Sequence, residues 1–293
     1  MRAIVTRPAR EAERWCRDLA RRGIEAVALP LIAIEPIASP AARAALAAAW
    51  QRLSSYRALM FVSANAVDGF FKAKPADASV WPSQFATKNR ANHDSDHDLN
   101  HDPVPRCWAP GPGTARALVK AGVPREAIDL PDAGAAQFDS EALWQKVQPQ
   151  LARGVAGAPV LIVRGSDGGD DHEADGGAVS AAGTGRDWLA RQLAQAGVPV
   201  QWLAVYRRSM PAFDAAQAAL AAQAAADGSV WLFGSAQAVR HLTGWLPAQD
   251  WSRARAVATH PRIAQAARGA GFAVVCESRP ALIDVVASIE SLA

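Results

Sequence analysis

Short apolar runs alternate with helical apolar stripes along this chain, and that alternation predicts strands separated by helices. Residues 3–6 read as a buried strand, after which Trp15, Leu19 and Ala20 supply a helical stripe that Gly23 stops. Residues 24–29 return as strand. Leu31-Ile32-Ala33-Ile34, bracketed by Pro30 and Pro36, reads as an extended crossing segment, and alanine-rich 41–50 as a helix. Residues 59–62 form a strand leading into a helix from Ser63 to about Phe71. Residues 107–109 form a short strand, 110–114 a turn, and 115–121 a helix closed by Gly122. Strands follow at 160–163, 200–205, 230–233, 256–258 and 272–275, with helices over 186–196, 236–242, 261–268 and 281–292. Such alternation predicts an α/β fold of parallel sheets covered on both faces.

Two stretches break the pattern. Residues 83–105 hold no periodic apolar residue and contain His93, His97 and His101 among Asp94, Asp96, Asp98 and Asp102. The four-residue histidine spacing would align on a helix. Aspartate and asparagine are poor helix formers, however, and no apolar face orders the segment, so a solvated, disordered insertion is expected rather than a metal site. Residues 166–185, rich in Gly, Asp and Ala, read as a second insertion or mobile loop.

The chain also echoes itself. Leu59-Met60-Phe61-Val62-Ser63-Ala64-Asn65-Ala66-Val67 reappears as Trp231-Leu232-Phe233-Gly234-Ser235-Ala236-Gln237-Ala238-Val239, and the opening strand and helix are matched more loosely by Leu161–Gly165 and Trp188–Val198. In each copy an apolar strand runs into a small polar residue that opens a helix. Backbone N–H groups at such a turn face whatever lies above the strand end, and they favour anions. Turns of this kind in two domains predict a cleft for a ligand bearing many negative charges.

Composition narrows the classes. The 293 residues suffice for two domains; 50% are hydrophobic and 20% charged, and the net charge is +3. No basic run interleaved with aromatics points to nucleic acid. Cys16, Cys107 and Cys276 are isolated, so reduced thiols in the cytoplasm are the default. Met1–Val5 enters a strand at once, without a secretory pattern, and the apolar stretches fall short of the ~18 residues a membrane span needs. A soluble, cytoplasmic protein is expected. No phosphate-binding GxxxxGK[ST] or dinucleotide GxGxxG motif follows a strand.

Several passages together resemble the uroporphyrinogen-III synthase family: Val5-Thr6-Arg7-Pro8, Leu29-Pro30-Leu31-Ile32, Phe61-Val62-Ser63-Ala64-Asn65-Ala66-Val67, Gly111-Pro112-Gly113-Thr114-Ala115 and Val205-Tyr206-Arg207-Arg208. Phe233-Gly234-Ser235 and Thr259-His260-Pro261-Arg262 fall where the family places its second-half turns. The resemblance implies two flavodoxin-like domains joined by a two-stranded ladder. The first would be discontinuous, 1–35 plus 207–293, and the second would span 36–206. It further implies a hydro-lyase needing no metal or organic cofactor. Its substrate would be hydroxymethylbilane, a linear tetrapyrrole with eight carboxylates, which hydroxymethylbilane synthase could hand over. The hydroxyl leaves as water and the ring closes with inversion of the last pyrrole. A monomer is expected. The rival readings are a ligand-sensing or regulatory module on the same fold, and a flavodoxin-like binder of phosphate or flavin, which rests on fold analogy alone.

The spontaneous closure proceeds without inversion, so such an enzyme governs conformation more than bond-making; holding both ends of a flexible chain in near-attack geometry contributes up to ~7–11 kcal/mol. Anion holders are therefore the first candidates. Ser63 and Ser235 open helices after strands; the alternative is that each hydroxyl only caps its helix, worth ~1 kcal/mol. Asn65 stands two residues on. Gly113 and Thr114 follow a turn that lets backbone approach a ligand, or simply start a helix. Arg7, at a strand end, can grip a carboxylate at two points or lie exposed beside a helix start, and Arg164 is its echo. Thr259 and Arg262 occupy the last turn, where His260 would add positive charge. In the family the tyrosine matching Tyr206 is proposed to assist departure of the hydroxyl. A phenol, with an ordinary pKa of ~10, suits donation to a leaving oxygen and suits a general base poorly. The alternative is a linker aromatic that packs the domains together. Tyr56, before a strand, reads as structural.

Overall fold

The computed structural model describes residues 1–75, 105–132, 140–153, 157–166 and 185–292. The histidine series His93, His97 and His101, with most of both inserted stretches, lies outside the described residues. The chain divides into two compact units, Met1–Ile34 with Arg208–Ala293, and Glu35–Arg207.

The opening segment supplies β1 (Arg2–Val5), α1 (Ala9–Ala20) and β2 (Glu25–Ala28), and β3 (Ala33–Pro36) leads out of it. The middle holds α2 (Pro40–Gln51), β4 (Ala58–Phe61), α3 (Ala64–Lys72), β5 (Arg106–Trp108), α4 (Pro112–Lys120), β6 (Ile128–Asp129), α5 (Ser140–Val147), β7 (Val160–Ser166) and α6 (Gly185–Gln195). After β8 (Val200–Ser209) come α7 (Ala215–Ala224), β9 (Val230–Phe233), α8 (Ala236–Trp245), β10 (Arg255–Ala258), α9 (Pro261–Gly269), β11 (Val274–Glu277) and α10 (Leu282–Glu290).

In the first unit the sheet runs β11-β10-β9-β1-β2, every pair parallel. Numbered within the unit this is the flavodoxin-like 2-1-3-4-5 order, whose direction of winding reverses between β1 and β9. Both faces are covered. Trp15 and Leu19 of α1 meet Val285 and Ile289 of α10 on one side; Trp231, Phe233, Trp251 and Phe272 fill the other. The four-residue strands are apolar on both sides, as a sheet buried on two faces requires. Gly23, at φ +76, ends α1 in the left-handed conformation that a side chain would strain.

In the second unit the order is β3-β8-β7-β4-β5-β6, with β4 through β8 pairing in parallel. Winding reverses between β4 and β7. Ala58, Met60, Val160 and Ile162 point to α5 and α6. By the two-residue strand period, Leu59, Phe61, Leu161 and Val163 point to the other face, where Phe61 meets Phe70 of α3 edge-on, with ring centroids 5.5 Å apart.

The β7–β8 pair is irregular. Arg164 pairs with Ala204, yet Gly165 pairs with Tyr206, leaving Val205 as an extra residue in β8. A β-bulge inverts the facing of everything after it. Without it Tyr206 would lie on the face of Trp202 and Ala204; with it Tyr206 joins Val163 and Leu203 on the α3 side. Helix α3 comes close to the bulge through Gly69, where a Cβ would stand 2.8 Å from the Val205 carbonyl oxygen and 2.9 Å from Val205 Cγ2. Gly69→Ala should therefore lower stability by about 1–2 kcal/mol: ~1 kcal/mol gained in helix propensity is outweighed by overpacking. Urea denaturation of the two proteins checks this, and a variant as stable as the parent would show that α3 can move aside freely.

Some boundaries differ from the sequence reading. Strand β8 continues through Ser209, so Tyr206 lies inside a strand rather than after one, because β3 and β7 flank β8 and give its backbone groups partners. Ser166 ends β7 instead of opening a loop. Helix α4 starts at Pro112, since proline is well tolerated in a first helical turn. The last strand is β11 at Val274–Glu277, with Phe272 ahead of it packed into the core. Among the described residues no helix is long and apolar enough to cross a membrane.

Candidate functional site

In open parallel sheets ligands settle beyond the carboxyl ends of the strands where winding reverses. In the second unit that point lies between β4 and β7. Ser63 follows β4 and caps α3, its Oγ accepting the Ala66 N–H at 3.2 Å. The same Oγ lies 3.2 Å from the Tyr206 phenol oxygen. A hydroxyl has one hydrogen and two lone pairs. With one lone pair taken by Ala66, the Ser63 hydroxyl keeps its hydrogen and a second lone pair, so either oxygen can donate to the other. The bulge thus brings together two residues far apart in sequence. Tyr206 is only 5% exposed, so its ring is held by its surroundings.

Asn65 is the second residue of α3 and half-buried. Gly113 lies in the first turn of α4 with open space around the point where a Cβ would stand. The N-cap of α4 is Gly111, and Thr114 lies within the first helical turn, 6% exposed. Arg164 faces the opposite side of the sheet from Tyr206, its guanidinium 4.9 Å from the Trp202 ring centroid.

In the first unit winding reverses between β1 and β9, and Arg7 and Ser235 stand just beyond those two strands. Ser235 caps α8, accepting the Gln237 N–H at 3.1 Å. Arg7 packs over Trp15, 4.3 Å from the ring centroid, and pairs with Glu11 at 3.3 Å. Burial lowers its pKa from the usual arginine value, and the Glu11 carboxylate opposes that. It therefore lies half-buried, not loose at a helix start. A Cβ on Gly234 would come within 3.4 Å of the Arg7 guanidinium carbon. Gly234 stands where the first copy of the repeat has Val62, and the Arg7 guanidinium lies beside it.

In the last turn His260 caps α9: its Nδ1 accepts the Arg262 N–H at 3.1 Å. Thr259 donates its hydroxyl to the Phe233 carbonyl at 3.4 Å, and the Arg262 side chain is exposed. Sequence reasoning missed the supports of the site: Glu11 and Trp15 around Arg7, Gly234 beneath it, and Gly165 against Tyr206. Only Gly234 left a signal, as the one small residue replacing an apolar one in the echo.

The family model described as uroporphyrinogen-III synthase HemD matches residues 13–175 and 171–286. Among solved structures, the chain is similar to a mutant uroporphyrinogen III synthase from the extremely thermophilic bacterium Thermus thermophilus, at 18% identity and TM-score 0.50 over 100% of this chain and 98% of that one. It is also similar to uroporphyrinogen-III synthetase from Helicobacter pylori 26695, at 14% identity and TM-score 0.52 over 100% of both chains.

Proposed function

The chain belongs to the uroporphyrinogen-III synthase family, and on that premise we propose which of its residues carry the family's reaction. The family is one of lyases that act without a cofactor. The reaction closes hydroxymethylbilane to uroporphyrinogen III with inversion of the last pyrrole, and the hydroxyl leaves as water.

Tyr206 donates a proton to the departing hydroxyl oxygen as the carbon–oxygen bond breaks. Ser63 donates to the phenol oxygen, which orients the free phenol proton and stabilises the phenolate that develops. The substrate's carboxylates are held at helix starts, by Ser63, Asn65 and the open Gly113 turn in one unit and by Arg7 and Ser235 in the other. Thr114, Arg164, Thr259 and Arg262 also take part in that recognition. The observation that carries this reading is the 3.2 Å approach of Ser63 Oγ to the Tyr206 oxygen beside the point where winding reverses.

Freshly prepared hydroxymethylbilane, with the product isomers resolved, tests it. Type III in excess over type I is expected, whereas type I alone at the spontaneous rate would leave the sensing-module reading in place. We further propose a cytoplasmic monomer that takes hydroxymethylbilane from hydroxymethylbilane synthase. The unpaired Cys16, Cys107 and Cys276 fit a reducing compartment, and the solution mass checks the monomer. The proposed domains are 1–35 with 207–293, and 36–206.

A further inference from the structure

We propose that Gly165 is a positioning residue for the Tyr206 phenol: the bare Cα on β7 is the floor that fixes where the ring stands. The inference rests on the reading above that Tyr206 acts in the reaction. Gly165 is the register partner of Tyr206 immediately after the bulge. A Cβ there would lie 2.4 Å from Tyr206 Cε2, 2.5 Å from Cζ and 2.9 Å from Cδ2. The ring therefore lies flat across the glycine, and no side chain fits beneath it. Gly165 does not occupy the left-handed backbone region, so what it supplies is space rather than backbone freedom. Three constraints then meet on one ring: the bulge selects its face, Gly165 sets its depth, and Ser63 holds its oxygen at 3.2 Å.

Carbon atoms in ordinary contact stand ~3.5–4.0 Å apart, so a methyl group at 165 forces the ring back by on the order of 1 Å. A misplacement of ~1 Å in a reacting group can lower turnover ~10²-fold. Gly165→Ala is thus expected to reduce kcat by about 10²-fold with KM within about twofold of the parent.

The test is a double-mutant cycle on kcat with Gly165→Ala, Tyr206→Ala and the pair, together with the NMR signal of tyrosine isotope-labelled at Cζ. The chain has only two tyrosines, so Tyr56→Phe assigns the Tyr206 signal. The Tyr206 signal should move in Gly165→Ala, and the double variant should be no slower than Tyr206→Ala alone. An unmoved signal, a kcat within about twofold of the parent, or the full Gly165→Ala loss persisting without the ring would each overturn the assignment. If Gly165→Ala does not fold, recovery of folded protein in the pair supports the contact with the ring, and failure to recover overturns it. Tyr206→Phe separates the two claims: unchanged turnover there removes Tyr206 from the reaction, whereas a slow Tyr206→Phe beside a normal Gly165→Ala removes only Gly165.

Discussion

Tyr206→Phe is expected to slow turnover by about 10²–10⁴-fold, the usual worth of a placed general acid, while the fold stays intact. Phenylalanine keeps the ring that lies on Gly165 and removes only the oxygen that meets Ser63 at 3.2 Å. The Ser63 cap on Ala66 survives, so helix α3 keeps its start. Steady-state rates with unchanged circular dichroism are the measurement. Because hydroxymethylbilane closes unaided to the type I isomer, the product of a slow variant should drift toward type I as the spontaneous path overtakes the enzyme. A variant with parental kcat and pure type III would show that the leaving hydroxyl receives its proton elsewhere.

The largest stability effect should come from Trp231→Ala, at about 3–5 kcal/mol. Trp231 is fully buried at the centre of the first unit's sheet. Its ring stands edge-on to Trp251 with centroids 5.4 Å apart, and edge-on to Phe272 at 6.1 Å. Its indole N–H donates to the Ala224 carbonyl at 3.2 Å, tying α7 to the sheet. Truncation opens a cavity among rigid rings that cannot collapse into it, and it leaves that carbonyl without this donor. Chemical denaturation followed by far-ultraviolet circular dichroism reads the loss. A cost below about 1 kcal/mol would mean the aromatic cluster repacks, contrary to its close stacking.

Elements with a clean apolar rhythm and a punctuating cap were legible from residues alone. The strand-to-serine step at Ser63 and Ser235 shows the physical reason: a buried four-residue run, then a short hydroxyl that accepts an orphan N–H. Helix α7 is not legible from periodicity although seven of its ten residues are alanine. Its apolar residues surround the axis without a stripe, so periodicity is silent, and only propensity and the Asp214–Gln217 capping box announce it. Two-residue β6 is too short for any pattern. The bulge at Val205 is the deeper omission. Nothing in Leu203-Ala204-Val205-Tyr206 marks an extra residue, since a bulge belongs to the pairing of two strands rather than to either one. The role of Gly165 was hidden for the same reason; beside a glycine-rich stretch it reads as the start of a loop. That His260 caps α9 depends on which backbone N–H its ring accepts, which composition does not reveal.

The first sheet's order has a consequence for synthesis on the ribosome. β1 lies between β2 and β9, so it must wait for a neighbour made long after it. At ~5–20 residues per second that delay lasts on the order of tens of seconds. Throughout it the apolar Ala3-Ile4-Val5 run has only the β2 side to pair with, while the segment that forms the second unit emerges without interruption. The second unit is therefore complete in the chain before the first, and the β1 segment is the part that most needs shielding until Val230–Phe233 arrives.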